Sequence, residues 1–449
     1  MSENSEQILS TIDALHEALE KDNRETAKKV IASLHPSEIA DILESVPSRE
    51  RGELWGLIDT KIEGDVLAHM QDAVRSEFLE HMQPDEVVDV TKDLEVDDVA
   101  DILQDLPEDI AGTILQSMDE QNRQRLSSIL TYPENTAGGL MNVDVVAIRA
   151  DVPLDVVARY LRLLGEIPEK TDNIMVVDRK NKYLGVLRLS DLLIREQETK
   201  VSQWMEEEPY VFVKTSTTEV AKIFEQRDLV SAAVVDENGF LLGRITVDDV
   251  VDVIQKEAEH AVRSMAGLSD EEIFSPIMVS TKSRAVWLGI NLVTAFLSAW
   301  VIGRFEDTIQ QLVALAVLMP VVAGMGGIAG SQTLTIAVRG IALGQIAKTN
   351  IKPLLIKELA IGILNGIFWS CIVAIIVILW FGQFSLGIII GASMIINLII
   401  AALAGATIPI ILKHYGIDPA IAGGVILTTV TDVVGFITFL GLATIFLLG

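Results

Sequence analysis

The longest uncharged run of the sequence covers residues 359–412, which contain no Asp, Glu, Lys or Arg. About 20 apolar residues are enough for one helix to cross the hydrocarbon core of a bilayer, so this run can supply two spans. The segment WFGQFSLG, residues 380–387, predicts the turn between them. Residues 285–303, 308–338 and 419–449 meet the same criterion, the last with a single charge. The sequence therefore predicts five membrane-spanning helices.

Charge divides the chain into two parts. The net charge is −28, yet residues 281–449 carry only eight Lys/Arg and five Asp/Glu, which leaves 27 basic and 58 acidic residues before them. An acidic region of this size repels phosphate, so we expect no nucleic-acid partner. It favours cations as ligands, and the alternative is that it only keeps the region soluble.

Several general features limit the class of protein. The single cysteine, Cys371, cannot form an intrachain disulfide, and the first residues, MSENSEQ, lack the apolar segment of a signal peptide. Basic residues follow the positive-inside rule, because one set of membrane-flanking segments is basic and the opposite set carries only Arg304. The acidic region is therefore expected in the cytoplasm and the C-terminus outside. The basic set is Lys282, Arg284, Arg339, Lys348, Lys352, Lys357 and Lys413.

Asp432 is the only charge in the last apolar stretch. A charge at mid-span costs several kcal/mol unless it faces water or a partner, and intramembrane carboxylates usually mark ion paths. Thr428 lies one turn before it and Gly435 about one turn after it, so this helix face is small and polar. Such a face either packs closely on another helix or lines a wet path. The alternatives for Asp432 are a structural pair with Arg339 or a lysine, or a protonated acid.

Two further features fall in the membrane half. Pro320 and several glycines interrupt LMPVVAGMGGIAGSQT, residues 318–333, and so many helix breakers would weaken a simple span. We expect irregular backbone here, which is tolerated where it lines a cavity, and the alternative is close helix packing through small residues. Glu358, at the start of the third span, is expected to pair with Lys357 or Lys352.

Residues 142–255 contain an internal repeat. NIMVVDRKNKYLGVLRLSDLL begins at Asn173 and SAAVVDENGFLLGRITVDDVV at Ser231, and each predicts a strand, a polar turn, a second strand and a helix. The constant offset of 58 residues joins Val177 and Val235, Asp178 and Asp236, Gly185 and Gly243, Asp191 and Asp249.

This repeat resembles a tandem pair of cystathionine-β-synthase (CBS) domains, which are regulatory modules that often bind an adenine nucleotide. The resemblance places Thr246 and Asp249 at the ribose-contacting T-x-x-D pair, whereas Arg188 replaces the threonine in the first copy. These three residues are the candidate contacts for ATP as a regulatory ligand.

From about Glu6 to Leu130 the sequence shows no convincing strand, and it is predicted to be helical. Apolar residues recur three and four apart at Ile39, Ile42, Leu43 and Val46, and again at Val99, Ile102, Leu103 and Leu106. PSEIADILESVP and EVDDVADILQDLP are two copies of one helical repeat, which predicts a small superhelix with an acidic face. That face includes Asp93, Asp97, Asp98, Asp101 and Asp105. The alternative is an ordinary solvated helix face.

A further acidic cluster closes the CBS pair, at Asp248, Asp249, Asp252, Glu257 and Glu259. Asp248 and Asp252 are one turn apart on one helix, so their charges repel and a divalent ion would relieve the repulsion. Mg²⁺ suits such a site, because it binds through one or two carboxylates and keeps several waters. No EF-hand loop, Cys/His zinc set or Walker A motif is present.

The whole chain resembles the MgtE family of bacterial Mg²⁺ transporters. The motifs that carry the resemblance are MPVVAGMGG, RGIALG, KEL and TTVTD, at residues 319–327, 339–344, 357–359 and 428–432. The implied parts are an acidic α-helical superhelical domain (1–135), two α/β CBS domains (136–199 and 200–256), a linking or plug helix (257–281) and a five-helix membrane pore domain (282–449).

The resemblance also implies a mechanism. The protein would be a homodimer embedded in the lipid of the bacterial inner membrane. Asp432 would hold hydrated Mg²⁺ in a pore, and Thr428, Gly435 and Glu358 would contribute to that pore. Mg²⁺ bridging the acidic cytoplasmic faces would close the pore, and Asp418 is a further candidate ligand. One departure is Ile328, since the family usually has Asn at this point of its glycine-rich motif.

Two alternatives remain open. Asp432 could carry a proton in a proton-coupled transporter of Co²⁺ or Mn²⁺, or the chain could be a non-conducting, membrane-anchored CBS sensor. An enzyme is not expected, because the six histidines are scattered and no nucleophile–base set is apparent.

Overall fold

The computed structural model of the protein describes residues 11–448 except 16, 19, 20, 22, 169, 266, 267, 269–276 and 343. The expectation for the N-terminal signal segment lies outside these residues, as do residues 266, 267 and 269–276 of the predicted linking helix, 257–281. The chain forms two compact units. The first ends at Ala258 apart from residues 272–274, and the second holds the rest.

Short helices build the N-terminal part of the first unit. All eight apolar positions predicted from the three-and-four spacing are buried, so the helical interpretation is confirmed. Pro36 opens the second helix, where His35 and Glu38 form a capping box. The helices described here are α1 Arg24–Ile31, α2 Pro36–Glu44, α3 Ser48–Trp55, α4 Glu63–Ala68, α5 Asp72–Leu79, α6 Pro84–Val90, α7 Val96–Gln104, α8 Glu108–Ser117 and α9 Glu120–Ile129.

Two three-stranded sheets follow, with the orders β1-β2-β3 and β4-β5-β6. In each sheet the first pair of strands is parallel and the second antiparallel, and the predicted offset of 58 residues relates β2 to β5 and β3 to β6. The tandem CBS arrangement is confirmed. Its elements are α10 Ala137–Leu140, β1 Ala147–Arg149, α11 Leu154–Leu164, β2 Asn173–Val177, β3 Tyr183–Arg188, α12 Leu189–Ile194, β4 Tyr210–Phe212, α13 Thr217–Arg227, β5 Ser231–Val235, β6 Leu241–Thr246 and α14 Val247–Met265.

Within the described residues of the second unit, five helices are long and apolar enough to cross a membrane, in agreement with the predicted number. Gly382 ends the third in a left-handed conformation, at the turn expected between residues 380 and 387. Residue 308 belongs to a separate short helix rather than to the second span. The helices are α15 Ile277–Gly303, α16 Glu306–Gln311, α17 Ala314–Ala342, α18 Ile351–Phe381, α19 Phe384–His414 and α20 Pro419–Ala443, followed by a short π-helix at Thr444–Leu448.

The glycine-rich segment is a correction to the sequence-based expectation. Residues 318–333 lie within the continuous helix α17, which contains Pro320, and are not irregular. The glycines instead allow close contact between helices: a Cβ on Gly330 would lie 2.9 Å from the side chain of Leu427, and one on Gly405 would lie 2.6 Å from the carbonyl oxygen of Gly330. Packing through small residues is thus the alternative that the structure adopts.

Candidate ion-binding sites

Asp432 lies within α20 and is partly accessible in the protomer. Among the residues that the structure describes, no basic side chain or hydrogen-bond donor pairs with its carboxylate. The suggested pair with Arg339 or a lysine is therefore absent within this chain. A carboxylate in an apolar helix is stabilised by water, a cation or another partner, so the carboxylate of Asp432 is available to bind one of these.

The face that holds Asp432 has two different neighbours. Thr428, one turn before, is exposed, and its hydroxyl donates to the carbonyl oxygen of Gly424 at 2.9 Å. Gly435, one turn after, is buried against Asn397 of α19. The sequence grouped these residues on one face, and the structure leaves Thr428 open while Gly435 packs against another helix.

Glu358 and Asp418 are engaged with local structure. Glu358 is 2% exposed, accepts a hydrogen bond from Thr333 of α17 at 3.1 Å, and lies 3.6 Å from the ammonium group of Lys357, the partner expected from the sequence. Asp418 caps α20 by accepting from the backbone N–H of Ala420 at 2.8 Å. The Thr333 contact engages Oε2 of Glu358, while its buried Oε1 has no hydrogen-bond partner among the described residues.

The second candidate site lies in the first unit, at the start of α7. Glu95, Asp97 and Asp98 place carboxylate oxygens within 4.8 Å of one another. Asp97 is only 8% exposed, and the side-chain amide of Asn142 donates to it at 3.1 Å. The backbone of Asn142 pairs with Arg244 of β6, so this contact joins the helical domain to the second CBS sheet.

The end of β6 supplies the other half of this site. The backbone N–H and the hydroxyl of Thr246 donate to the same carboxylate oxygen of Asp249, at 3.1 and 3.0 Å. The two candidate nucleotide contacts therefore hydrogen-bond each other at the start of α14. We call Glu95, Asp97, Asp98, Asp248 and Asp249 the acidic cluster.

Burial and mutual repulsion shift the pKa values of the cluster. Burial, then the charge of Asp249, raises the pKa of Asp97 well above its usual range. Burial and Asp248 raise the pKa of Asp249 to about 7, and burial and Glu95 raise that of Asp98 to about 6. These carboxylates lack enough positive charge around them, which is the environment that a divalent cation relieves.

One cation of the chain already reaches the cluster. The ammonium group of Lys170, between α11 and β2, forms an ion pair with Asp248 and lies 3.5 Å from Glu95. Burial alone would raise the pKa of Asp248, but the hydrogen bonds from Lys170 and Thr246 outweigh it and lower the pKa. Sequence reasoning missed Lys170, because it lies 78 residues from Asp248 in a segment without a motif.

A second set of charges lies beside the cluster. Lys256 of α14 lies 3.1 Å from Asp72, which pairs with Arg75 at 3.0 Å, and Arg75 in turn pairs with Asp105 at 2.6 Å. Burial raises the pKa of Asp101 to about 7 against the opposing charges of Arg75 and Lys256. Alternating charges therefore connect the helical domain to α14.

The remaining candidates are more scattered. Asp93 is exposed, outside the cluster. Burial raises the pKa of Asp252, opposed by His69 and Lys256. Glu257 accepts a hydrogen bond from Thr218 at 2.7 Å, Glu259 pairs with Arg263 at 3.1 Å, and Arg188 pairs with Glu206 at 2.7 Å.

Known proteins resemble this chain along most of its length. Residues 319–442 match the family model of MgtE divalent cation transporters, residues 34–135 match the MgtE intracellular N domain, and residues 137–198 and 201–256 match CBS domains. The magnesium transporter MgtE of Bacillus subtilis is 32% identical and that of Thermus thermophilus 31% identical, each over 74% of both chains. A solved cytosolic domain of the Mg²⁺ channel MgtE in complex with ATP is 31% identical, with a TM-score of 0.49, over 54% of this chain and 99% of that one.

Proposed function

Because the chain belongs to the MgtE family of divalent cation transporters, we propose that it carries Mg²⁺ across the bacterial inner membrane and that Asp432 holds the ion. The observation that carries this proposal is the unpartnered carboxylate of Asp432 within an apolar span. Mg²⁺ sheds its waters reluctantly, so a fast path would bind it hydrated, through carboxylate charge and backbone dipoles. Two copies of Asp432 across a homodimer axis would form such a ring.

The driving force needs no ATP hydrolysis. The acidic unit is placed in the cytoplasm and the C-terminus outside. A membrane potential that is negative inside then contributes about 2.3 kcal/mol per charge per 100 mV to the inward movement of a cation, and twice that for a divalent ion. Mg²⁺ therefore moves inward down its electrochemical gradient.

Closure is assigned to the acidic cluster. Docking of α7 on the start of α14 collects five carboxylates, and among the described residues the ammonium group of Lys170 pairs with two of them. Mg²⁺ that binds between them stabilises the docked state by its difference in affinity for the docked and undocked states. High cytosolic Mg²⁺ would therefore favour docking, and docking is proposed to close the pore.

ATP remains a proposed regulatory ligand of the CBS pair. A ribose bound at the second CBS domain would have to compete with Thr246 for the carboxylate of Asp249. In the first CBS domain, Arg188 already forms an ion pair with Glu206. Since Asp249 also belongs to the acidic cluster, nucleotide binding and Mg²⁺ binding would be coupled.

The test is divalent-ion flux into proteoliposomes that hold the full-length protein. We expect Mg²⁺ uptake by the wild type and at least a ten-fold loss for Asp432→Asn. Asp307→Asn, which changes an exposed acid of α16, is the matched control and should leave uptake unchanged. Equal uptake by wild type and Asp432→Asn would refute the role of Asp432.

The same vesicles separate the alternatives. Uptake that follows an imposed pH gradient at fixed voltage would identify a proton-coupled transporter of Co²⁺ or Mn²⁺. Absence of any metal flux from the wild type would identify a non-conducting sensor.

A further inference from the structure

A buried amide lies where three membrane helices meet. Asn397 of α19 is 1% exposed, and its Nδ2 donates to the carbonyl oxygen of Val322 in α17 at 2.9 Å. That carbonyl belongs to the helix that carries the glycine-rich segment. The hydrogen bond therefore fixes the position of α19 along α17 at Val322.

Two glycines make room for this amide. A Cβ on Gly435 of α20 would lie 2.9 Å from Nδ2 of Asn397, and a Cβ on Gly326 of α17 would lie closer still. Real side chains do not approach so closely without displacement of a neighbour. The amide thus fills a slot with one wall from α17 and the other from α20, and a side chain at either glycine would have to displace the amide of Asn397.

The amide is also incompletely satisfied. Its Oδ1 is buried and has no hydrogen-bond partner among the described residues. A buried acceptor without a partner opposes folding, so an apolar residue of similar shape would be expected if packing were the only requirement. Buried polar groups are best known for fixing register between helices at a cost in stability.

Gly435 lies one turn after Asp432 on the same helix. Rotation or sliding of α20 would carry Gly435 away from Asn397 and bring a side chain into the slot. We propose that Asn397 is a positioning residue, which seats α20 against α17 and thereby sets the depth and direction of the Asp432 carboxylate. The inference rests on the proposed role of Asp432 in ion passage.

The experiment changes the side-chain size at positions 397 and 435 of the full-length protein, singly and together. Asn397→Ala, Gly435→Ala and the double variant are compared in proteoliposomes for the half-saturating Mg²⁺ concentration and for the ratio of Mg²⁺ to Ca²⁺ uptake. Gly441→Ala, on the same helix, is the matched control, because a Cβ there would meet no neighbouring side chain or other helix within 4 Å among the described residues. The melting temperature of each variant is measured as well.

We expect Gly435→Ala to raise the half-saturating Mg²⁺ concentration about ten-fold, since overpacking of a close contact shifts the backbone. The double variant should return it to within about two-fold of Asn397→Ala, because the smaller side chain at 397 restores the space. The uptake ratio should change and recover in parallel. Gly441→Ala should match the wild type.

Three results would overturn the inference while Asp432→Asn still abolishes uptake. Gly435→Ala could behave as the wild type, the double variant could be no better than Gly435→Ala, or melting temperatures could change while half-saturation and uptake ratio do not. The last result would assign Asn397 to stability alone. If Asp432→Asn has no effect, the proposed function fails first and the positioning role falls with it.

Discussion

The ammonium nitrogen of Lys170 lies 3.5 Å from a carboxylate oxygen of Glu95, and the same ammonium group pairs with Asp248. Lys170 belongs to the first CBS unit, Glu95 to the helical domain and Asp248 to the start of α14. One side chain thus connects three parts of the first unit. It places a fixed positive charge where the acidic cluster would otherwise need an added cation.

Lys170→Gln is expected to weaken docking in the absence of Mg²⁺. Partly exposed ion pairs are worth up to about 1 kcal/mol, so the ratio of docked to undocked protein in EDTA should fall about five-fold. Saturating Mg²⁺ should restore docking. The measurement is the distance between spin labels at positions 49 and 225, both exposed, in a Cys371→Ser background with labelled protomers diluted by unlabelled protein.

Lys222→Gln is the control for that change, because Lys222 is an exposed lysine of α13. Asp248→Asn in the Lys170→Gln background should recover docking in EDTA, since it removes a charge that Lys170 neutralises. Equal docking of wild type and Lys170→Gln in EDTA would contradict the role assigned to Lys170.

Asp97→Asn is expected to favour docking without Mg²⁺ and to reduce the response of ion flux to cytosolic Mg²⁺. The amide keeps the shape of the carboxylate but removes a buried negative charge beside Asp249, so less repulsion opposes the docked state. Single-channel recording in excised patches measures the response, and we expect it to fall at least about three-fold.

Asp93→Asn is the matched comparison, because the sequence placed Asp93 in the same candidate set while the structure leaves it exposed. It should respond to Mg²⁺ as the wild type does. A loss of response in Asp93→Asn equal to that in Asp97→Asn would show that net charge, rather than the cluster, sets the response.

Docking in EDTA is expected to strengthen as pH falls from 8 to 6. The pKa values of Asp249 and Asp101 are raised to about 7 by burial, so the docked state takes up protons in this window while the undocked carboxyl groups, with pKa near 4, do not. Stability is therefore gained as pH falls through the raised pKa. Hydrogen-exchange protection of α7 amides should rise about five-fold.

The double variant Asp101→Asn/Asp249→Asn should flatten that pH dependence. Mg²⁺ should also add less protection at pH 6 than at pH 8, because protons and Mg²⁺ compete for the same carboxylates. Protection that decreases from pH 8 to pH 6 would contradict the assigned pKa values.

Arg75→Ala is expected to destabilise the helical domain by about 3 kcal/mol. Arg75 is buried and pairs with Asp72 and Asp105, so its removal leaves Asp105 without its partner. Hydrogen exchange of α5 and α7 reports the loss. Arg49→Ala, an exposed position of α3, should change exchange little, and a similar loss in both variants would argue against the buried pair.

Sequence reasoning found the features that repeat locally. The spacing of Ile39, Ile42 and Leu43 predicted a helix, and the offset between Val177 and Val235 predicted the duplicated sheet, because both depend on periods of a few residues or on internal copies. It failed at the glycine-rich segment, where the cost of glycine in a helix is offset by close contact with α19 and α20. Propensity alone cannot anticipate such contacts.

The missed residues share one property. Lys170 and Asn397 act through partners 75 or more residues away, and neither lies in a motif. An isolated lysine in a loop or asparagine in a span has no pattern that distinguishes it from solvated or packed neighbours. Only the folded chain brings Lys170 to Asp248 and Asn397 to Val322.

The continuity of α14 has a mechanical consequence. The helix begins immediately after Thr246, at the acidic cluster, and runs for 19 residues without a break, which is about 28 Å at 1.5 Å per residue. A tilt of roughly 10° at its first turn would sweep its far end through about 5 Å. Small rearrangements among the carboxyl groups at the first turn therefore become larger displacements further along the helix itself.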